Sequence, residues 1–245
     1  MYVGHLSAET SHHLFSMTIQ PSDGTDLRIL LEDGARKLGI DIDDREVNLF
    51  LTYLQELTEW NQKINLTAIR DEKGIVVRHF LDSLALYRFL GNTRSLLDIG
   101  AGAGFPGIPL KIVRPLLDLV LLESVGKKIV FLRHIIRALG LNDVKTLHGR
   151  AEDHSIVEQY RGAFDIVVSR AFARLNDFLS VAVPYTKESG LIIAVKGPRG
   201  DDELKEATAA AIHHLSLERV EEITVPFSGM ASHCFLFRKG GAGHE

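Results

Sequence analysis

From Thr93 onward the chain alternates short apolar runs with longer stretches of helical spacing. The runs are Ser95–Ile99, Asp118–Glu123, Asp143–His148, Asp165–Ser169 and Leu191–Lys196. Strands joined through helices run parallel, and the helices cover both faces of the sheet. The end of the chain breaks the pattern. EEITVPF and SHCFLFRK are two extended runs joined by a short turn containing Ser and Gly, with no helix between them. They are expected to finish the sheet as an antiparallel pair. The predicted fold is α/β, with a seven-stranded, mostly parallel, Rossmann-like sheet and an antiparallel last strand.

A helical region precedes the sheet. Residues 1–24 read as a flexible tail, and Met17 inside it is the expected natural start. No Lys or Arg comes before Arg28, so the basic region of a secretion signal is missing. Thr25 and Asp26 are expected to cap a helix carrying Leu27, Leu30, Leu31, Ala35 and Leu38, closed by Gly39. Asp43 or Asp44 opens a second helix, with Val47, Phe50, Leu51, Leu54 and Leu57 on one face. Trp60–Asp71 breaks the period, and a third stretch holds Val77, Phe80, Leu81, Leu84 and Leu86. Residues 25–92 thus form a helical region packed on a domain of residues 93–240, with 241–245 a second tail.

Composition removes several classes of function. No apolar run approaches the ~20 residues that a membrane span needs. Cys234 is the single cysteine, which excludes an internal disulfide and any multi-cysteine metal site. A cytoplasmic monomer without a metal is expected. The net charge of -4 gives no general basic field, so contact with nucleic acid requires a local basic patch.

The chemistry is concentrated where the first strand ends. In LLDIGAGAGFPGIPL, the glycines Gly100, Gly102, Gly104 and Gly107 separate that strand from a helix, with Pro106 expected in its first turn. A backbone this bare lets a ligand touch peptide groups directly, and the helix start behind it attracts an anion. Gly102, Gly104 and Gly107 satisfy G-x-G-x-x-G, a pattern shared with dinucleotide-binding proteins. Asp98 argues against that ligand, since a carboxylate beside the turn repels a pyrophosphate. It suits S-adenosylmethionine, which carries a sulfonium and an ammonium. Glu123 ends the second strand, 19 residues after Gly104, where an acid accepts ribose hydroxyls in either class. After the third strand, GRAED offers the Ala151 backbone and the Glu152 carboxylate to an adenine edge.

WNQKINLTAI, HFLDSLAL, LLDIGAGAGFPGIPLKI, ESVGKKIVFL, GRAE and SRAFA stand in this order. Together they resemble the RsmG (GidB) family, bacterial 16S rRNA methyltransferases acting on N7 of one guanine in the small ribosomal subunit. The resemblance spans Leu27 to Lys239. It implies a class I methyltransferase fold, S-adenosylmethionine as cofactor and 16S rRNA or the small subunit as partner. It also implies cofactor contacts at Gly100, Phe105, Ala151, Glu152 and Arg170. By its residues alone, Phe105 reads as core beneath the helix start.

Guanine N7 carries a lone pair and no proton, so the reaction needs alignment and desolvation more than a general base. No catalytic base is evident. Arg170 stays protonated and is suited to a cofactor carboxylate, a phosphate or guanine O6. Asp82 is a candidate to ease the charge of the cationic product; its plainer reading is an ion pair with Arg78, four residues earlier on one helical face. Cys234, in the last strand, reads as core rather than as a nucleophile.

The RNA-binding candidates are Lys127, Lys128, Arg133 and Arg137, in a stretch from Ser124 to Asn142 that contains no acid. Lys63, Arg70, Arg78, His79, Arg170, Arg174, Lys196 and Arg199 are expected near the strand C-terminal edge as a phosphate track. Trp60 reads as core, and Asn61, Asn65 and Thr67 as the residues that fix the turn after it.

Overall fold

The computed structural model describes residues 23–170, 172, 174–197, 200–206, 214–229 and 231–240. Residues 1–22 with Met17, residues 241–245 and Arg199 lie outside the described residues; Asp23 and Gly24, expected in the tail, open the first helix ahead of the expected cap at Thr25 and Asp26.

The elements run α1 (Asp23–Lys37), α2 (Asp44–Ile64), α3 (Glu72–Ile75), a π-helical stretch (Val76–Leu81) and α4 (Asp82–Leu84). There follow β1 (Ser95–Ile99), α5 (Gly107–Val113), β2 (Asp118–Glu123), α6 (Gly126–Ala138), β3 (Val144–His148), α7 (His154–Tyr160) and β4 (Phe164–Arg170). The chain then forms α8 (Leu175–Ala182), β5 (Thr186–Lys196), α9 (Gly200–Lys205), β6 (Leu215–Thr224) and β7 (Ala231–Lys239). The seven strands lie in the order β3-β2-β1-β4-β5-β7-β6. β7 runs antiparallel to both β5 and β6, and the other pairings are parallel.

Strand alternation divides the core into two layers. Leu96, Leu119, Leu121, Ile166, Val168 and Ile193 face α1–α6. Leu97, Ile99, Val120, Leu122, Val167 and Ile192 face α8 and the apolar side of α7. The N-terminal helices therefore cover one face of the sheet and share its core.

Local signals explain the helix limits. α2 begins with a capping box, in which Glu46 N–H donates to Asp43 Oδ1 at 2.7 Å and Asp43 N–H donates to Glu46 Oε2 at 2.9 Å. The helix runs through Trp60 to Ile64, where an earlier break was expected, and ends on Asn65 at φ 48. Asn61 makes that ending possible. Its Oδ1 accepts from Leu66 N and Thr67 N at 2.7 and 2.9 Å, and its Nδ2 donates to Thr67 O at 3.0 Å. Trp60 packs on Phe131 and His134, with centroids 5.7 and 4.9 Å away, and so serves the α2–α6 contact.

Candidate functional site

Two clefts open at the C-terminal edge of the parallel strands. The first, of about 190 Å³, is lined by residues including Gly100, Leu122, Ser124, Ala151, Glu152 and Phe172. The second, of about 460 Å³, is lined by residues including Arg78, Asp82, Arg170, Phe172, Lys196 and Glu203. Phe172 is common to both.

The glycine turn forms one wall of the first cleft. Gly100 and Gly104 adopt φ +73 and +100, values that other residues rarely take. At Gly104 space is short as well, since a Cβ there would lie 2.5 Å from Ile108 Cδ1 and 2.7 Å from Tyr53 Oη. The Tyr53 hydroxyl donates to Ala103 O and ties α2 to the turn. Pro106 caps α5 from outside instead of entering its first turn.

Asp98 does not reach the surface of the cleft. It follows Leu96 in strand parity and therefore points to the α5 side, fully buried. Its Oδ2 accepts from Gly107 N at 2.9 Å, and its Oδ1 has no hydrogen-bond partner among the described residues. Burial lifts its pKa to about 7, against the opposing pull of the Gly107 N–H and Arg170. Glu123 sits on the other side of the turn, where its Oε2 accepts from Gly102 N at 2.9 Å and its Oε1 from Val125 N at 2.8 Å. Each oxygen keeps a second lone pair. Ala151 is buried, its carbonyl held by Tyr185 Oη at 2.7 Å, while the Glu152 carboxylate is exposed with Arg150 3.7 Å away.

Phe105 is buried core, as the residues alone suggested. Its ring stacks on His79 at 4.5 Å and on Tyr53 at 5.4 Å, with the Arg170 guanidinium 5.2 Å from its centroid. Arg170 donates to Asp82 Oδ2 at 2.8 Å, to Arg78 O at 3.1 Å and to His79 Nδ1 at 2.7 Å. Arginine has only donors, so His79 Nδ1 accepts and Nε2 carries the proton toward Thr67 Oγ1, 2.6 Å away. Burial, followed by the charge of Arg170, pushes the imidazole down to about 3.

This geometry corrects the sequence reading at several residues. Asp82 pairs with Arg170 and not with Arg78, which lies 3.5 Å from Asp71. The cause is the π-helical stretch, whose wider turn abolishes the i, i+4 neighbour relation assumed for an α-helix. His79 is buried and neutral, so it is no phosphate ligand. Lys196 is buried too, donating to Phe172 O at 2.7 Å and pairing with Glu203 at 2.8 Å. Lys127, Arg133 and Arg137 are exposed on α6, Lys128 is half-buried, and Arg174 is exposed before α8. Cys234 is buried, and burial pushes its thiol to about 12.

Thr67 reads from the sequence only as a turn residue and His79 only as part of a phosphate track, and Phe172 is not singled out at all. The signal for the first two was the clustering of WNQKINLT and HFLDS ahead of the glycine turn. The contact of His79 with β4 spans 91 residues and has no local signature.

The strand order, the glycine turn behind β1 and the acid closing β2 together define a class I, Rossmann-like methyltransferase. Solved structures agree on the fold. TrmN from Thermus thermophilus aligns with TM-score 0.51 and 14% identity, over 67% of this chain and 53% of that one. A predicted O-methyltransferase from Agrobacterium tumefaciens aligns with TM-score 0.50 and 18% identity, over 61% and 75%.

Sequence comparison narrows the class. Residues 46–231 match the family model described as rRNA small subunit methyltransferase G, GidB. Ribosomal RNA small subunit methyltransferase G of Alkaliphilus oremlandii is 42% identical over 218 residues, covering 87% of this chain and 91% of that protein. Its counterpart in Clostridium novyi is 40% identical over 213 residues, covering 86% and 88%. This chain belongs to the rRNA small subunit methyltransferase G family, and the dinucleotide-binding alternative falls away.

Proposed function

We propose that this protein transfers a methyl group from S-adenosylmethionine to N7 of one guanine in 16S rRNA of the small ribosomal subunit. Family membership supports the RNA methyltransferase activity, and the first cleft carries the cofactor assignment. When bound, S-adenosylmethionine supplies a methyl group activated by a sulfonium.

The residues present fit that molecule. The backbone of Gly100 forms the bare wall, Gly102 and Gly104 shape the turn behind it, and buried Glu123, with each oxygen taken once by a backbone N–H, keeps its second lone pairs for the ribose hydroxyls. Ala151 and Glu152 border the adenine end. Phe105 supports the turn through its aromatic stack, and Arg170 holds that stack to β4. Asp98 acts from beneath the turn, and a positively charged ligand above it favours the ionised carboxyl.

The chain's own part in the reaction is alignment and exclusion of water. N7 needs no base, and the Nδ1 lone pair of His79 is engaged by Arg170. Lys127, Lys128, Arg133, Arg137 and Arg174 hold RNA phosphates, and the protein acts as a cytoplasmic monomer. No helix among the described residues is long and apolar enough to cross a membrane. The test is isothermal titration with S-adenosylhomocysteine and with NADH. Saturable binding of the first alone is expected; binding of NADH alone overturns the assignment.

A further inference from the structure

We propose that the second cleft receives the target guanine, turned out of the RNA fold, and that the ring of Phe172 is the face on which this base stacks. The inference deepens the methyltransferase reading and rests on it. Three observations carry it.

The first is position. Among the described residues, Phe172 alone lines both clefts. The N7 lone pair lies in the plane of the base, so a methyl donor must be met edge-on. A base entering edge-on has two open faces that need apolar support. An aromatic side chain at the border of the two clefts supplies one such face and leaves the N7 edge pointing toward the first cleft.

The second is the way Phe172 is held. It is half-buried, and its ring rests on Phe178 at 5.6 Å, tilted by 45°. Its carbonyl accepts from Lys196 Nζ at 2.7 Å. Lys196 is in turn fixed by Glu203, whose Oε2 also accepts from Leu175 N at 2.8 Å. An ion pair between buried Lys196 and half-buried Glu203 thus anchors the backbone of one partly exposed aromatic residue. Core packing alone has no need of that anchor.

The third is the set of polar groups facing the cleft. Arg170 pairs with Asp82, Lys196 with Glu203, and Arg78 lies 3.5 Å from Asp71, so the charges around this cleft are balanced in pairs. Asp82 Oδ1 and Glu203 Oε1 make no hydrogen bond among the described residues. Carboxylate oxygens accept from the N1–H and N2–H groups of guanine, a pair of donors that adenine lacks.

The test compares Phe172→Leu with Phe172→Trp under single-turnover conditions on small-subunit RNA, with S-adenosylhomocysteine affinity measured alongside. Leucine preserves apolar bulk but gives no stacking face. A stacked base is worth about a ten- to hundredfold rate loss when its aromatic partner is removed. Phe172→Leu is expected to lose that much in single-turnover rate with S-adenosylhomocysteine affinity nearly unchanged, while Phe172→Trp stays near the parent rate. Phe172→Leu turning over at the parent rate, or losing activity only through weaker cofactor binding, overturns the proposal. If the unaltered protein leaves small-subunit RNA unmethylated, the parent reading fails instead. A second measurement needs no variant: RNA with 2-aminopurine next to the target guanine should change its emission on binding, and unchanged emission contradicts extrusion of the base.

Discussion

Arg170 Nη2 lies 2.7 Å from His79 Nδ1, and this contact joins the end of β4 to the N-terminal helical region. The imidazole is the middle of a chain of bonds. Asn61 fixes Thr67, Thr67 accepts from His79, and His79 accepts from Arg170. Fixed in this way, the guanidinium stays over Phe105 and against Asp82.

Replacing His79 separates the acceptor from the ring. His79→Asn places an oxygen close to the position of Nδ1, whereas His79→Phe keeps the stack on Phe105 and leaves an Arg170 N–H without its acceptor. An unpaired buried donor costs about 1–3 kcal/mol. His79→Phe should lose about ten- to hundredfold in kcat, with His79→Asn recovering most of it. Equal activity in the two variants would mean that only the stack matters.

Two buried groups titrate in opposition. Asp98 moves from 3.8 up to about 7 on folding, so the stability it contributes is full below its unfolded value and lost as pH rises through about 7. His79 moves from 6.5 down to about 3, so its contribution is present above 6.5 and lost as pH falls toward the folded value. Between pH 6.5 and 4 the two effects oppose each other. Asp98→Asn should lose stability on acidification through that window, and His79→Phe should gain it, each by at most about 1.4 kcal/mol per pH unit. Urea midpoints across the window measure this, and parallel curves would contradict it.

Asp98 also reports on the charge of its ligand. S-adenosylmethionine bears a sulfonium that S-adenosylhomocysteine lacks. A positive ligand above a carboxyl with a pKa of about 7 should release part of a proton at neutral pH. Titration in two buffers of different ionisation enthalpy should show more release with the sulfonium, and no difference in Asp98→Asn. The same release in parent and variant would remove Asp98 from the account.

The glycine turn separates crowding from backbone preference. Gly104→Ala meets both a φ of +100 and a Cβ site 2.5 Å from Ile108 Cδ1, whereas Gly140→Ala at φ +60 has nothing within 4 Å. Gly140→Ala should cost about 1 kcal/mol and Gly104→Ala more, with a loss of S-adenosylhomocysteine binding in the second alone. Thermal unfolding and calorimetry check both.

On α6, removing Lys127, Arg133 and Arg137 together should flatten the salt dependence of RNA binding. For three lost phosphate contacts the slope of log K against log salt should fall by about two to three. An unchanged slope places the RNA elsewhere.

The sequence made β1 and β2 legible at their observed limits, because short apolar runs bounded by breakers have few other solutions. β5 begins five residues earlier than expected, at Thr186, through a polar TKESG segment that contains Ser189 at φ 60. β6 begins at Leu215 and not at Glu221; as an edge strand it is mostly exposed on both faces and shows little alternation. The glycine turn and Glu123 were readable because they are contiguous with strand ends. The burial of Asp98 was missed, because an acid at a strand end was taken to face the ligand although its parity with Leu96 turns it toward the helix side. The Thr67–His79–Arg170 chain was not readable either, since its links cross from one region to another and pass through a π-helical stretch that the 3.6-residue period hides.

The most direct test is to supply the protein with S-adenosylmethionine labelled in its methyl group and small-subunit RNA from cells lacking this enzyme, then to map the label by mass. One 7-methylguanine at one position in 16S rRNA is the predicted result. Label on another atom, on another RNA, or on none would contradict it.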